Sequence, residues 1–171
     1  MLRASFRENR ALAPDPTAFP APSHVATVLV AAEAADAFAF LADPLALGGW
    51  SLGCMETGPD EALGLHRGRS LFDGAEGWFE IDARADLLLI DYLVGTRERR
   101  RRRISARVVA AEDAGLPAGH CYVSMIAWRP GDMDEARWRR LCAAHEAEIW
   151  LIKAQIESGY RPTPGGRVMI R

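Results

Sequence analysis

His145 is the residue whose type and setting could carry chemistry most directly. It falls within the series Trp138, Leu141, Cys142, His145, Ile149, Ile152 and Ile156, whose three- and four-residue steps place all seven on one face of a helix. An imidazole on that face points at whatever the helix lies on. There it could bind a ligand carbonyl or act as a general base. The plainer reading is a core histidine bonded to a backbone carbonyl or a carboxylate. Asp91 is the second candidate, because it interrupts the apolar run Leu88-Leu89-Ile90-Asp91-Tyr92-Leu93-Val94. If it shares the inner face with Leu89 and Leu93, it is a buried carboxylate and needs a partner such as His145, Arg107 or Tyr122. If the inner face is Leu88, Ile90, Tyr92 and Val94, Asp91 is solvated. Periodicity does not choose between them, and the solvated reading is slightly favoured. A buried Asp91–His145 pair would be the strongest catalytic sign in the chain.

Other chemistries find little support. Gly-x-Ser-x-Gly, His-Glu-x-x-His and Cys-x-x-Cys motifs are all absent. Gly165-Gly166 is no phosphate loop, since no strand–turn–helix surrounds it. Cys54, Cys121 and Cys142 are far apart and fit no metal spacing; they read as reduced, mostly buried thiols of a cytoplasmic protein. No metal or cofactor is expected. The most conspicuous charge feature is Arg97 to Arg103, reading Arg-Glu-Arg-Arg-Arg-Arg-Arg. It could contact RNA phosphates or an acidic partner. The plainer reading is a solvated hairpin tip whose charges blunt a sheet edge. A net charge of −2 and the lack of any nucleic-acid-binding motif argue against nucleic acid.

These residues need elements to hold them. The helix carrying His145 is expected from Met133 to about Ser158, with Asp132 as N-cap, Glu135 at capping-box spacing and Gly159 as its stop. At ~1.5 Å per residue it would run roughly 39 Å, enough to cross a small domain. Upstream, His24 to Ala32 reads as a strand and Ala34 to Ala42 as a short helix ended by Asp43-Pro44. A second helical turn around Leu45, Leu47 and Trp50 follows. Six strands then come in quick succession: Ser51–Glu56, His66–Phe72, Trp78–Arg84, Leu87–Val94, Arg102–Ala110 and Cys121–Trp128. Gly58-Pro59-Asp60 is expected to turn the chain between the first two. Short links favour antiparallel pairing, and a sheet with one wet face and one helix-covered face is α+β.

At 171 residues and 49% hydrophobic content, the chain suggests one domain with a sizeable core. Residues 1–23, with Pro14, Pro16, Pro20 and Pro22, read as a tail, 24–159 as the domain and 160–171 as a second tail. No apolar run reaches the ~18 residues of a membrane span, and charged residues interrupt any signal-peptide core at the N-terminus. Trp150 lies off the helix stripe; exposed together with Leu151, it would suit a homodimer contact.

The element order, the segment Ala37-Phe38-Ala39-Phe40-Leu41-Ala42-Asp43-Pro44 after the first strand, Leu47 and Trp50 downstream, and the long helix with Trp138, Ile149 and Ile152 together resemble the START-like helix-grip superfamily. That superfamily includes polyketide cyclases and pollen-allergen-type lipid binders. The resemblance covers about Ser23 to Ser158. It implies an antiparallel sheet of about seven strands curled around the C-terminal helix, with a cavity for a small apolar or aromatic molecule. It carries over no catalytic residue. On that architecture the pocket wall is expected from Phe79, Ile81, Tyr92, Tyr122 and Trp128 on strands, and Trp138, His145 and Ile149 on the helix. Three functions follow as expectations: a binder of an apolar metabolite, a cyclase-like enzyme moving a proton through His145 with Asp91 or Tyr122, or an interaction module acting through the basic hairpin.

Overall fold

A computed structural model describes residues 22–160; the expected tails lie almost wholly outside the described residues. The chain runs β1 (Ser23–Val30), α1 (Ala34–Ala42), α2 (Pro44–Trp50), β2 (Met55–Asp60), β3 (Leu65–Arg69), β4 (Glu76–Arg84), β5 (Leu89–Gly95), β6 (Arg100–Ala110), α3 (Ala111–Ala114), β7 (Cys121–Trp128) and α4 (Glu135–Ser158). The fold is α+β. The strands form one antiparallel sheet in the order β1-β7-β6-β5-β4-β3-β2, so the meander is closed at one end by β1 pairing with β7.

The inner face of the sheet follows the period of two. Ala26, Val28 and Val30 of β1, Ala106 and Val108 of β6, and Cys121, Val123, Met125 and Ala127 of β7 are all buried. Against them lie Phe40 and Leu41 of α1, Leu47 and Trp50 of α2, and Ile149 and Ile152 of α4. A smaller cluster of Ala127, Met133 and Trp138 seals the N-terminal end of α4.

α4 is capped two residues later than its sequence suggests. Asp134, not Asp132, accepts the bond from Arg137 N at 2.8 Å, and Asp132 is instead drawn to Arg101 at 3.3 Å. Both are good capping residues by type; the nearby guanidinium decides between them. Gly159 ends the helix in the left-handed conformation, φ +67°, as glycine readily can. Three bonds moor the last turns: Gln155 Nε2 donates to Gly49 O at 2.6 Å, Lys153 Nζ donates to Leu29 O at 2.8 Å, and Glu157 accepts from Ala31 N at 2.8 Å.

The Gly58-Pro59-Asp60 turn does not form. These residues belong to β2, which is an edge strand, where proline costs no inner ladder bond. The reversal lies just beyond, at residues 61–64, where Gly64 takes φ +64°. α2 and β2 meet closely at Gly48: a Cβ there would stand 2.5 Å from Thr57 Oγ1, which itself donates to Pro44 O at 2.7 Å.

Candidate functional site

Between the N-terminal half of α4 and strands β4 to β7 lies a cavity of about 390 Å³. Its apolar wall comes from Phe79 of β4, Tyr92 and Val94 of β5, Ile104 of β6, Met125 of β7, Leu47 and Trp50 of α2, and Leu141 and Ala144 of α4. Inward-pointing strand positions supply the aromatic rings, and Trp50 meets Tyr92 edge-on with centroids 6.0 Å apart. Tyr92 is anchored from behind, its hydroxyl donating to Leu41 O at 2.8 Å. Burial pushes its phenol up, so it stays protonated.

The polar part of the wall is concentrated on α4. His145 and Glu148 are 2% and 4% exposed and lie one helical turn apart. His145 Nε2 stands 3.8 Å from Glu148 Oε2, beyond hydrogen-bond reach. Burial, helped by His24 and Arg103, lowers the His145 pKa to about 4, so the imidazole is neutral. Its ring stands 6.0 Å from that of His24, itself 3.2 Å from Glu146. Burial raises Glu148 to about 7, although its carboxylate accepts a 2.7 Å bond from Leu52 N. Cys54, also on the wall, is pushed up to about 12 by burial and by Glu148, and is no nucleophile at neutral pH. Three nitrogens on this wall are buried without a hydrogen-bond partner: Trp50 Nε1, His145 Nδ1 and Arg103 Nε. Buried polar atoms are ordinarily paired, so three orphans around one cavity give its wall unmet hydrogen-bonding capacity.

Of the residues expected to line a pocket, the structure brings Phe79, Tyr92 and His145 to the cavity and leaves the others out. Tyr122 and Trp128 take the outer face of β7, because Cys121, Val123, Met125 and Ala127 take the inner one; Trp128 is 48% exposed. Trp138 sits too near the start of α4 and fills the separate cluster with Met133. Ile149 is buried in the main core with Ile81 packed against it, and neither reaches the cavity. Asp91 is far from His145 in role and direction. It faces outward, accepts from Ser105 Oγ, and lies 2.9 Å from Arg102 Nε. The buried set on β5 is Ile90 and Tyr92, so Asp91 lies on the opposite face and makes no pair with His145.

Two residues of the site were not anticipated. Glu148 lies three positions after His145, on the same face by spacing alone, but a glutamate in a helix is ordinarily assigned to solvent. Strict alternation along Arg102–Ala110 would put Arg103 on the face opposite Ile104, Ala106 and Val108. A β-bulge breaks that alternation: Tyr92 pairs with Ile104 while the next residue, Leu93, pairs with Arg102, leaving Arg103 unpaired. Bulges re-aim a side chain in this way, and Arg103 joins the cavity wall. Three other arginines of the run are engaged with neighbouring strands rather than free at a hairpin tip. Arg100 pairs with Glu80, Arg102 bonds Asp82 at 2.9 Å, and Arg97 stacks 5.2 Å above the Trp78 ring. Trp150, 61% exposed, and Leu151 are on the surface of α4.

Several solved structures share this architecture. The di-domain aromatase/cyclase BexL superposes with a TM-score of 0.58 at 14% identity, over 79% of this chain and 46% of its own. The aromatase/cyclase Zhui from a Streptomyces gives a TM-score of 0.56 at 18% identity, covering 79% of this chain and 93% of that one. A START superfamily protein from Mycobacterium smegmatis gives 0.58 at 12% identity, over 81% and 99% of the two chains. The chain thus spans about half the length of the di-domain protein. At these identities the likeness is one of fold. No protein-family model and no curated protein sequence matches the chain. No helix among the described residues is long and apolar enough to cross a membrane.

Proposed function

We propose that this START-like helix-grip protein binds a small apolar or aromatic metabolite in the cavity between its sheet and α4. The observation that carries the proposal is the composition of that wall: aromatic and aliphatic side chains around about 390 Å³, interrupted by the unpaired nitrogens of Trp50, His145 and Arg103. Ligand cavities are largely apolar with a few placed polar groups, and this one has that make-up. The aromatase/cyclase and START superfamily proteins of the same fold support a small-molecule role. The test is a fluorescence titration with the neutral aromatic probe N-phenyl-1-naphthylamine. A blue-shifted, saturable emission at one probe per chain is expected. No saturable emission at any probe concentration up to its solubility would overturn the reading.

The His145–Glu148 pair favours a second reading, an enzyme that moves a proton next to a carbonyl. A neutral imidazole can take a proton, and a carboxyl poised at about 7 can give or take one near neutral pH. Both groups line the cavity. In this reading His145→Ala lowers kcat toward a true substrate by about 10²–10⁴-fold while leaving probe binding within a few-fold. Unchanged turnover would remove His145 from the chemistry.

A further inference from the structure

The apolar cavity has a basic annex. A second hollow, about 340 Å³, opens beside the first and shares Val94, Gly95, Thr96, Arg103 and Arg137 with it. Its own wall carries Arg99 and Arg101 besides the two shared arginines, against a single carboxylate, Asp132. Arg101 already holds that carboxylate at 3.3 Å. No carboxylate among the described residues forms an ion pair with Arg103 or Arg137. Asp73, also on the main cavity wall, is held below the usual carboxylate range chiefly by Ser70 and the Ala75 amide, with Arg140 and Arg137 contributing less.

Arg103 is the unusual member. The bulge that unpairs it from β5 turns it inward, and its Nε is buried without any acceptor. Burial chiefly, and then Arg137 on the first turn of α4 and Arg101, disfavour the charge of Arg103, with Asp132 opposing them. Two guanidinium groups facing a common hollow, one of them partly desolvated and unpaired, are unfavourable when empty. A bound anion relieves both the repulsion and the unmet donor, and guanidinium forks match carboxylate, sulfonate and phosphate oxygens with two bonds each. Because the two hollows share this wall, one molecule can lie with its rings against Phe79, Tyr92 and Trp50 and its anionic group at the arginines.

We infer that the ligand is an amphipathic organic acid: an apolar or aromatic body in the main cavity and an anionic group held between Arg103 and Arg137 in the annex. This rests on the binding role proposed above and adds the charge of the guest. It also gives the arginine run a purpose that its outward members, tied to Glu80, Asp82 and Asp91, do not have.

The test uses a matched pair of probes on the full chain. One is 8-anilino-1-naphthalenesulfonate, the other neutral N-phenyl-1-naphthylamine, which has the same rings without the sulfonate. The wild type is expected to bind the sulfonate at least tenfold more tightly, with an affinity that falls as salt is raised. Arg103→Met and Arg137→Met should each lower the ratio of sulfonate to neutral-probe affinity, measured in the same variant, by about tenfold or more. Arg137 is exposed on the helix, so its replacement tests the site even if Arg103→Met does not fold. Equal affinity for both probes in the wild type, or sulfonate binding unaffected by either substitution, would overturn the inference and leave the cavity reading intact. Failure of both probes to bind the wild type would overturn the cavity reading itself, and this inference with it.

Discussion

Glu148→Gln should become more stable than the wild type as pH rises, with the difference growing by about 3 kcal/mol between roughly pH 4 and pH 8. In the native protein the Glu148 carboxyl titrates at about 7 instead of 4.5, because burial opposes its charge. Its raised pKa means that the folded state holds the proton more tightly than the unfolded chain does. The stability it supplies is complete below about 4.5 and is lost as pH rises through about 7. His145 behaves in the opposite sense. Its pKa is lowered from 6.5 to about 4, so its contribution is present above 6.5 and lost as pH falls through about 4. Between about 4.5 and 6.5 the two slopes oppose each other in the wild type. Removing the carboxyl leaves the histidine slope alone, while a glutamine oxygen can still accept from Leu52 N, the bond Glu148 makes at 2.7 Å. Urea unfolding of both proteins across this range measures the difference directly, and the exposed carboxylates cancel in the comparison. A difference independent of pH would show that Glu148 is ionised and solvated rather than buried and neutral below pH 7.

Ala144→Trp should abolish most of the binding of neutral aromatic probes, by roughly a hundredfold. Ala144 is buried on the cavity side of α4, beside Leu141 and His145, and its methyl forms part of the wall. An indole there occupies space that a guest's ring would otherwise fill. Losing one buried ring's worth of contact is about 3 kcal/mol, which corresponds to about two decades in Kd. Because the new side chain enters a hollow rather than a filled core, its overpacking cost should stay near the low end of about 1–3 kcal/mol. Circular dichroism and urea unfolding check that the fold survives. Probe affinity within threefold of wild type in a folded variant would place binding elsewhere on the protein.

What could be read from the residues, and what could not, divides along physical lines. The element order, the antiparallel meander and the long helix were legible because they rest on many residues at once. The buried alternation of β7 and the α4 stripe each repeat over several positions, so an error at one does not change the outcome. Single positions were less secure. Asp132 and Asp134 are equally good caps by type, and only Arg101 across the fold distinguishes them. The face of β5 could not be chosen from its sequence, since Leu89 and Leu93 are as apolar as Ile90 and Tyr92; the packing of Tyr92 beneath Leu41 settles it. The two polar residues that give the site its character were the least legible. Glu148 violates the usual exposure of glutamate, and Arg103 depends on one register shift between Tyr92 and Leu93 that no local pattern announces. Both departures from the simple rules occur at the cavity, where a functional site is expected to break them.

The most direct measurement is native mass spectrometry of the purified protein beside Ala144→Trp prepared identically, each compared with its denatured mass. Binding in the cavity predicts a non-covalent mass on the wild type that disappears on denaturation and is absent from the variant; the mass itself then identifies the chemical class of the ligand. The same added mass on both proteins would contradict occupation of the cavity and remove the basis for a helix-grip binding role.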